Sequence, residues 1–278
     1  MSLLYGDQPA GWDIGGRKEV IRAATRQDFI DFRNKHYYPQ ATTLLLAGNF
    51  DEAALVAQAK ELFKDMPTGE KSDKLPTRDL QDKPQVLLHE KKVDQAHLVL
   101  GYRAFSLFDD RRHTLELLSD ILGGGMSSRL FERLREKMGA AYYVSAYGDF
   151  YTDHGYIAAS AGVELSKTKE AVRAIKEEFE RFVSEKVSEE ELNRHKSHLT
   201  GNVMLSLETS DRLAVFYGLQ ETLAKKMEST EVLMEKIQAV SAEDIQALAQ
   251  ELFTTKHLNL ALLGPFKDQG EFETLLAS

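Results

Sequence analysis

Residues 24–50, ATRQDFIDFRNKHYYPQATTLLLAGNF, align without a gap onto residues 240–266, VSAEDIQALAQELFTTKHLNLALLGPF. Asp28/Asp244, Leu44/Leu260, Leu46/Leu262, Gly48/Gly264 and Phe50/Phe266 are identical, and Thr25 and Ser241 match as helix caps. Each copy reads as a capped helix, then a buried strand, then a glycine stop. A repeat of this length describes one folding unit used twice, so the chain should hold two related domains. The offset, from residue 24 to residue 240, is 216 positions. On that spacing the later unit runs from about Pro84 to the end, and the earlier one would begin roughly 130 residues before Met1. The expected organisation is therefore a C-terminal remnant of a first domain over 1–66, a linker over 67–84, and a complete second domain over 85–278.

The linker expectation rests on Pro67, Pro76 and Pro84, Gly69 and a high density of charge without apolar periodicity. Thr25-Arg-Gln-Asp28 and Ser188-Glu-Glu-Glu191 read as capping boxes. Thr42–Ala47 reads as a buried strand, and 51–64 as a helix. Beyond the linker, strands are expected over 85–91, 96–103, 140–151 and 155–164, the last two as a hairpin around Thr152-Asp153-His154. A helix over 109–122 should stop at Gly123-Gly124-Gly125, with the glycines in left-handed geometry. Leu130, Leu134 and Met138 mark a second helix that stops at Gly139. Ser166 should cap a helix whose apolar face is Val172, Ile175, Phe179 and Phe182. A strand over 257–263 and a short terminal helix complete the pattern.

Composition narrows the function classes. The 278 residues carry 35 Lys+Arg against 44 Asp+Glu, a net charge of −9, which argues against a nucleic-acid partner because no broad face would neutralise phosphates. There are no cysteines, which excludes disulfides, thiolate metal sites and cysteine nucleophiles. No apolar run approaches the roughly 20 residues of a membrane-spanning helix. The compartment is left open.

The segment from Leu122 to Val144, LGGGMSSRLFERLREKMGAAYYV, resembles the stretch LGGGMSSRLF..LREK.GLAY.V of the pitrilysin/insulinase-type zinc metallopeptidases, the family that includes mitochondrial processing peptidase. There it marks the second, non-metal-binding domain. Leu3-Leu-Tyr-Gly-Asp-Gln-Pro-Ala-Gly11 is similar to a stretch late in that family's first domain. Ala140 departs from the usual Leu. The resemblance implies α+β domains, each an antiparallel sheet with helices packed on one side, here one complete domain plus a truncated homologue. It also implies a zinc-bearing first domain with an H-x-x-E-H helix, in which two histidines hold the ion and the glutamate activates its water.

No H-x-x-E-H occurs in this chain. The nearest match is His113-Thr-Leu-Glu116-Leu117, where Leu117 stands in place of the second histidine. One His and one Glu do not complete a zinc site, and His113 and Glu116 are expected on a partly exposed helix face. His195-Lys-Ser-His198 places two histidines at i, i+3, but no acidic residue completes a family pattern there, and the neighbours Glu191, Asn193, Arg194 and Lys196 read as a solvated face. The expectation is no metal, and no catalytic residue, in this chain alone; zinc would belong to the full-length or partnered enzyme.

Arg135 and Tyr142 match the Arg of LREK and the Tyr of AY. The resemblance implies that they bind the substrate backbone and help polarise the scissile carbonyl. On residue chemistry alone, Arg135 could equally complement a helix C-terminus and Tyr142 could be strand packing. Gly123, Gly124 and Gly125 lack the following Gly-Lys-Ser/Thr of a P-loop; the resemblance adds a role for them in substrate recognition.

The function expected is the substrate-clamping half of a zinc endopeptidase's peptide chamber, inert without the zinc-bearing part. The alternative is a non-catalytic assembly or scaffold subunit paired with a zinc-bearing relative. Implied partners are a peptide or unfolded protein substrate and a zinc-bearing domain or subunit. An incomplete first-domain sheet would expose an apolar surface that a homo-oligomer would cover.

Overall fold

The computed structural model describes residues 1–70 and 73–277; Lys71 and Ser72, within the expected linker, lie outside the described residues. Two compact units are present. The larger comprises residues 1–11, 77–203 and 229–278, and the smaller comprises 12–76 and 204–228.

The larger unit is built on one five-stranded sheet: β1 (Gln85–Glu90), β2 (Gln95–Ala104), β3 (Ala141–Phe150), β4 (Gly155–Glu164) and β5 (Leu258–Gly264), in the order β1-β5-β2-β4-β3. The pairs β2–β4, β3–β4 and β2–β5 are antiparallel. The β1–β5 pair is parallel, so the sheet is mixed where a wholly antiparallel one was expected. The helices are α1 (Arg112–Gly123), α2 (Thr168–Ser184), α3 (Glu189–Ser206, its last residues in the smaller unit), α4 (Thr230–Ala239), α5 (Ala242–Leu252) and α6 (Gln269–Ala277).

Period-two alternation selects the helix-covered face. Ala96, Leu98, Leu100 and Tyr102 of β2, Ile157, Ala159, Ala161 and Val163 of β4, and Leu258, Leu260 and Leu262 of β5 are all buried in one core. The expected face of α2 meets them, with Val172, Ile175, Phe179 and Phe182 fully buried. Tyr102, Phe179 and Phe253 pack as an aromatic triplet with centroids 4.8–5.1 Å apart. This is the α+β architecture with helices on the sheet that the sequence implies.

Local details differ from expectation in instructive ways. Ser166 does not cap α2; its hydroxyl donates to Glu164, and the helix starts at Thr168 after a single 3-10 turn. Ser188 does cap α3, accepting from the Glu191 amide at 3.2 Å, but the Glu191 carboxylate turns to Arg129 instead of closing the box. Residues 1–11, grouped by sequence with the first domain, fold with the larger unit: the Tyr5 hydroxyl donates to the Gly155 carbonyl at 2.6 Å. Part of the expected linker is also fixed, since Gln81 is buried and donates to the Lys256 carbonyl while accepting from Asn259.

The smaller unit contains the helices Arg26–His36 and Glu52–Phe63, the latter capped by Asp51. At the offset of 216, the Arg26–His36 helix falls on Ala242–Leu252 end for end, and the 3-10 turn Pro39–Ala41 falls on Thr255–His257. Both helices open with complete capping boxes, Thr25 with Asp28 and Ser241 with Asp244. The copies part only afterwards. β5 lies between β1 and β2, whereas residues 42–47 pair with no neighbour among the described residues. The expected buried strand is therefore absent as a strand, and Leu44 and Leu46 stand 52% and 48% exposed. The apolar run is the same; a ladder needs a partner.

Among the described residues no helix is long and apolar enough to cross a membrane.

Candidate functional site

The motif segment runs from the end of α1 through the glycines into a wide helical stretch, Phe131–Lys137, and then into β3. The stretch is π-type: the Met138 amide bonds back to the Arg133 carbonyl at 3.0 Å, five residues earlier. The extra residue in the turn re-aims the side chains along it. Gly139, with φ +57°, makes the turn into the strand, a backbone region that L side chains rarely adopt.

Three arginines sit on this segment and have three different fates. Arg129 is buried and bidentate to Glu191 of α3, both bonds 2.8 Å, with its guanidinium 4.3 Å from the Phe182 ring centroid. Arg133 reaches α2, pairing with Glu178 at 2.9 Å and with Glu177. Arg135 alone among the three meets no carboxylate of α2 or α3; it is exposed and donates to the backbone carbonyl of Tyr142. Two of the three fasten the segment to helices, and the third is directed at the strand.

Tyr142 occupies an irregularity in β3. Ala141 pairs with Val163 and Tyr143 with Gly162, so Tyr142 is the extra residue of a β-bulge. A bulge twists the strand and re-aims the side chain. Tyr142 is 60% exposed. Tyr143 by contrast lies across Gly162 and meets His97 Nδ1 through its hydroxyl at 3.0 Å. β3 is the outermost strand of the sheet, paired only with β4. The structure thus brings Arg135 and Tyr142 together at a bulge on a sheet edge.

The glycines are explained by close approach. None of Gly123, Gly124 and Gly125 has positive φ, contrary to the left-handed ending expected from sequence. A Cβ on Gly123 would stand 2.3 Å from the Ala146 amide nitrogen of β3, and one on Gly124 would stand 2.1 Å from Asp120 Oδ1. A Cβ on Gly125 would sit 3.4 Å from the His198 ring. The loop is pressed between β3 and a polar cluster that sequence reading missed.

That cluster is Asp120, His195 and His198. His195 is not on a solvated face: it is fully buried, with Nδ1 2.7 Å from Asp120 Oδ2. His198 Nδ1 lies 2.9 Å from Asp120 Oδ1. Asp120 is 75 residues before His195, and no local spacing reveals the pairing. The available signal was the i, i+3 histidine pair, lacking only an acidic residue from another element.

Glu191, one turn before His195, has its carboxyl held below the ordinary range. Burial pushes it upward, but the Arg129 hydrogen bonds and charge, with a smaller contribution from His195, outweigh that push.

The nearest zinc-motif match does not fit a metal. His113 is buried rather than partly exposed; its Nδ1 is 2.9 Å from Glu116 Oε2, and its Nε2 accepts from Arg112 Nε at 3.1 Å. Both ring nitrogens are engaged, and Leu117 is buried apolar core. No step of metal chemistry can be assigned to the His113–Glu116 pair.

Comparison with known proteins adds the following. A family profile described as the peptidase M16 inactive domain matches residues 23–199. A protein of Rickettsia felis named as an uncharacterized zinc protease is 33% identical over 265 residues, covering 95% of this chain and 63% of that protein. A Rickettsia bellii protein of the same description is 32% identical over 263 residues, with 94% and 63% covered. The chain thus spans less than two thirds of the length of these relatives. Among solved structures, a peptidase M16 inactive domain from Pseudomonas fluorescens superposes with a TM-score of 0.86 at 20% identity, over 96% of this chain and 64% of that one.

Proposed function

The chain belongs to the peptidase M16 inactive-domain family, and on that premise we propose that it supplies the substrate-clamping half of a zinc endopeptidase's peptide chamber. The observation that carries this reading is the exposed Arg135 guanidinium lodged at the Tyr142 bulge on the free edge of β3. An edge strand offers unpaired backbone groups to an extended peptide, which can add as a further strand. At its start a guanidinium with unused N–H donors and an exposed phenol lie within one residue's reach. Such donors suit a peptide carbonyl whose oxygen gains charge during hydrolysis. Metal, water activation and bond cleavage belong to a zinc-bearing domain or subunit, in keeping with the zinc-protease names of the relatives. The glycine loop, fixed against β3 by Gly123, would line the same end of the peptide path.

The test is reconstitution. The chain is mixed with a zinc-bearing relative carrying H-x-x-E-H, and cleavage of an unstructured fluorogenic peptide is followed. The expected result is turnover by the mixture and none by this chain with added Zn²⁺. Cleavage by the chain alone would refute the division of labour. A stable complex with no cleavage of any peptide would favour the scaffold reading instead.

A further inference from the structure

Asp120 projects from the last full turn of α1, and His195 and His198 lie one turn apart on α3. One donor atom from each of the three lies within 4.8 Å of the other two. We propose that Asp120, His195 and His198 form a binding site for one divalent transition-metal ion of the zinc class, separate from the Arg135–Tyr142 edge.

The donor set is the first argument. Two imidazoles and one carboxylate suit Zn²⁺, Co²⁺, Ni²⁺ or Cu²⁺, whereas Ca²⁺ and Mg²⁺ prefer all-oxygen shells. Geometry is the second. The observed Nδ1-to-carboxylate distances are 2.7 Å and 2.9 Å, with a further contact from His198 Nδ1 at 3.1 Å. A tetrahedral ion with bonds of about 2.0–2.1 Å sets its donors roughly 3.3–3.4 Å apart. A spreading of about 0.4–0.7 Å would admit it, within reach of side-chain adjustment.

Access is the third. The Asp120 and His195 side chains are almost wholly buried, while that of His198 is 36% exposed. The cluster therefore has one open side, by which an ion can enter and on which a water can complete the shell.

Ring orientation is the fourth. Both Nδ1 atoms already face Asp120, so an ion entering between them needs a change of tautomer and no ring flip, and Nε2 of the buried His195 is without a hydrogen-bond partner in either state. With an ion, the Nδ1 lone pairs turn to the metal and the ring protons reside on Nε2. His198 Nε2, 3.2 Å from the Asn202 side-chain amide, then donates to that amide's oxygen once the amide is turned over.

The site also explains where the ion would act. Gly124 packs on Asp120 and Gly125 on His198. An ion tying α1 to α3 through these residues holds the glycine loop in place against β3.

The experiment uses the full chain without an affinity tag. Co²⁺ is titrated in and followed by visible absorption, with Zn²⁺ competition and metal analysis after dialysis. The expected result is one ion per chain, tetrahedral d–d bands displaced by Zn²⁺, and affinity lowered at least about tenfold in His198→Gln and in Asp120→Asn. His89→Gln, an exposed histidine on β1, should bind as the parent does. His198→Gln replaces a half-exposed side chain, and circular dichroism verifies that it folds. Absence of saturable Co²⁺ or Zn²⁺ binding overturns the proposal, as does binding that the His198 and Asp120 variants leave unchanged.

Discussion

Gly123 and Ala146 are in backbone contact: a methyl group on the glycine would stand 2.3 Å from the Ala146 amide nitrogen and 2.7 Å from its Cβ. Because β3 is held on β4 by an unbroken ladder from Tyr143 to Phe150, the strand cannot retreat at Ala146 without breaking register. The end of α1 would have to move instead. Gly123→Ala is expected to lower stability by about 1–3 kcal/mol, read as a drop in Tm, with a larger penalty for Gly123→Val. Gly125→Ala, whose added carbon would find ordinary clearance at 3.4 Å, should be close to neutral. Equal effects at the two positions would show that close packing is not the reason for the first glycine.

Arg135 and Tyr142 should separate binding from chemistry in the reconstituted system. Arg135→Ala removes the guanidinium but leaves the bulge, whose register is set by Val163 and Gly162. Loss of a donor to a developing oxyanion lowers kcat by about 10²–10³, while a donor used only to hold substrate raises KM. Arg135→Ala is expected to lower kcat, and Tyr142→Phe to do so more modestly, with complex formation unchanged in both. If only KM moves, the pair is a clamp without a part in the chemistry.

Most of the fold was legible because α2 and the strands obey simple periods: Val172, Ile175, Phe179 and Phe182 all reach the core, and alternate residues of β2 do the same. The glycine loop and the arginine-bearing segment were legible as motifs. What was not legible depends on contacts between distant residues. The parallel β1–β5 pair joins strands more than 160 residues apart. The Asp120–His195 contact spans 75 positions and turned an apparently solvated face into buried polar ground. Glu191 looked like a capping-box residue, yet a bidentate arginine bond outcompeted a second bond to the Ser188 backbone. Residues 42–47 carry strand composition, but composition cannot supply a neighbour.

The Arg129–Glu191 pair should contribute to acid sensitivity in the larger unit. The folded-state pKa of Glu191 lies below its ordinary value of 4.5. A depressed carboxyl contributes stability that is present above the unfolded value and lost as pH falls through the folded one. Stability should therefore decline as pH drops below about 4.5, and Glu191→Gln should flatten that slope. At neutral pH, Arg129→Ala leaves a part-buried carboxylate unpaired and is expected to cost about 1–3 kcal/mol. Denaturant titrations at several pH values test both; a Glu191→Gln protein with the parent's acid slope would assign that slope to other carboxylates.

Leu44 and Leu46 have the same positions in their copy of the repeat as Leu260 and Leu262, which are buried in the sheet of the larger unit. Here they stand half exposed on an extended segment without a ladder partner among the described residues, together with exposed Phe29, Phe32 and Leu62 of the same unit. Unpaired extended backbone bearing apolar side chains is a template for pairing with another chain. The isolated chain is expected to associate in a concentration-dependent way, measurable by sedimentation. Leu44→Lys with Leu46→Lys should shift the association to higher concentration, because lysines on an edge oppose pairing. The core of the larger unit should keep its Tm, since neither leucine belongs to it. A parent chain that stays monomeric up to high concentration would rule out self-association as the fate of this surface and leave it to a different partner, the zinc-bearing one first.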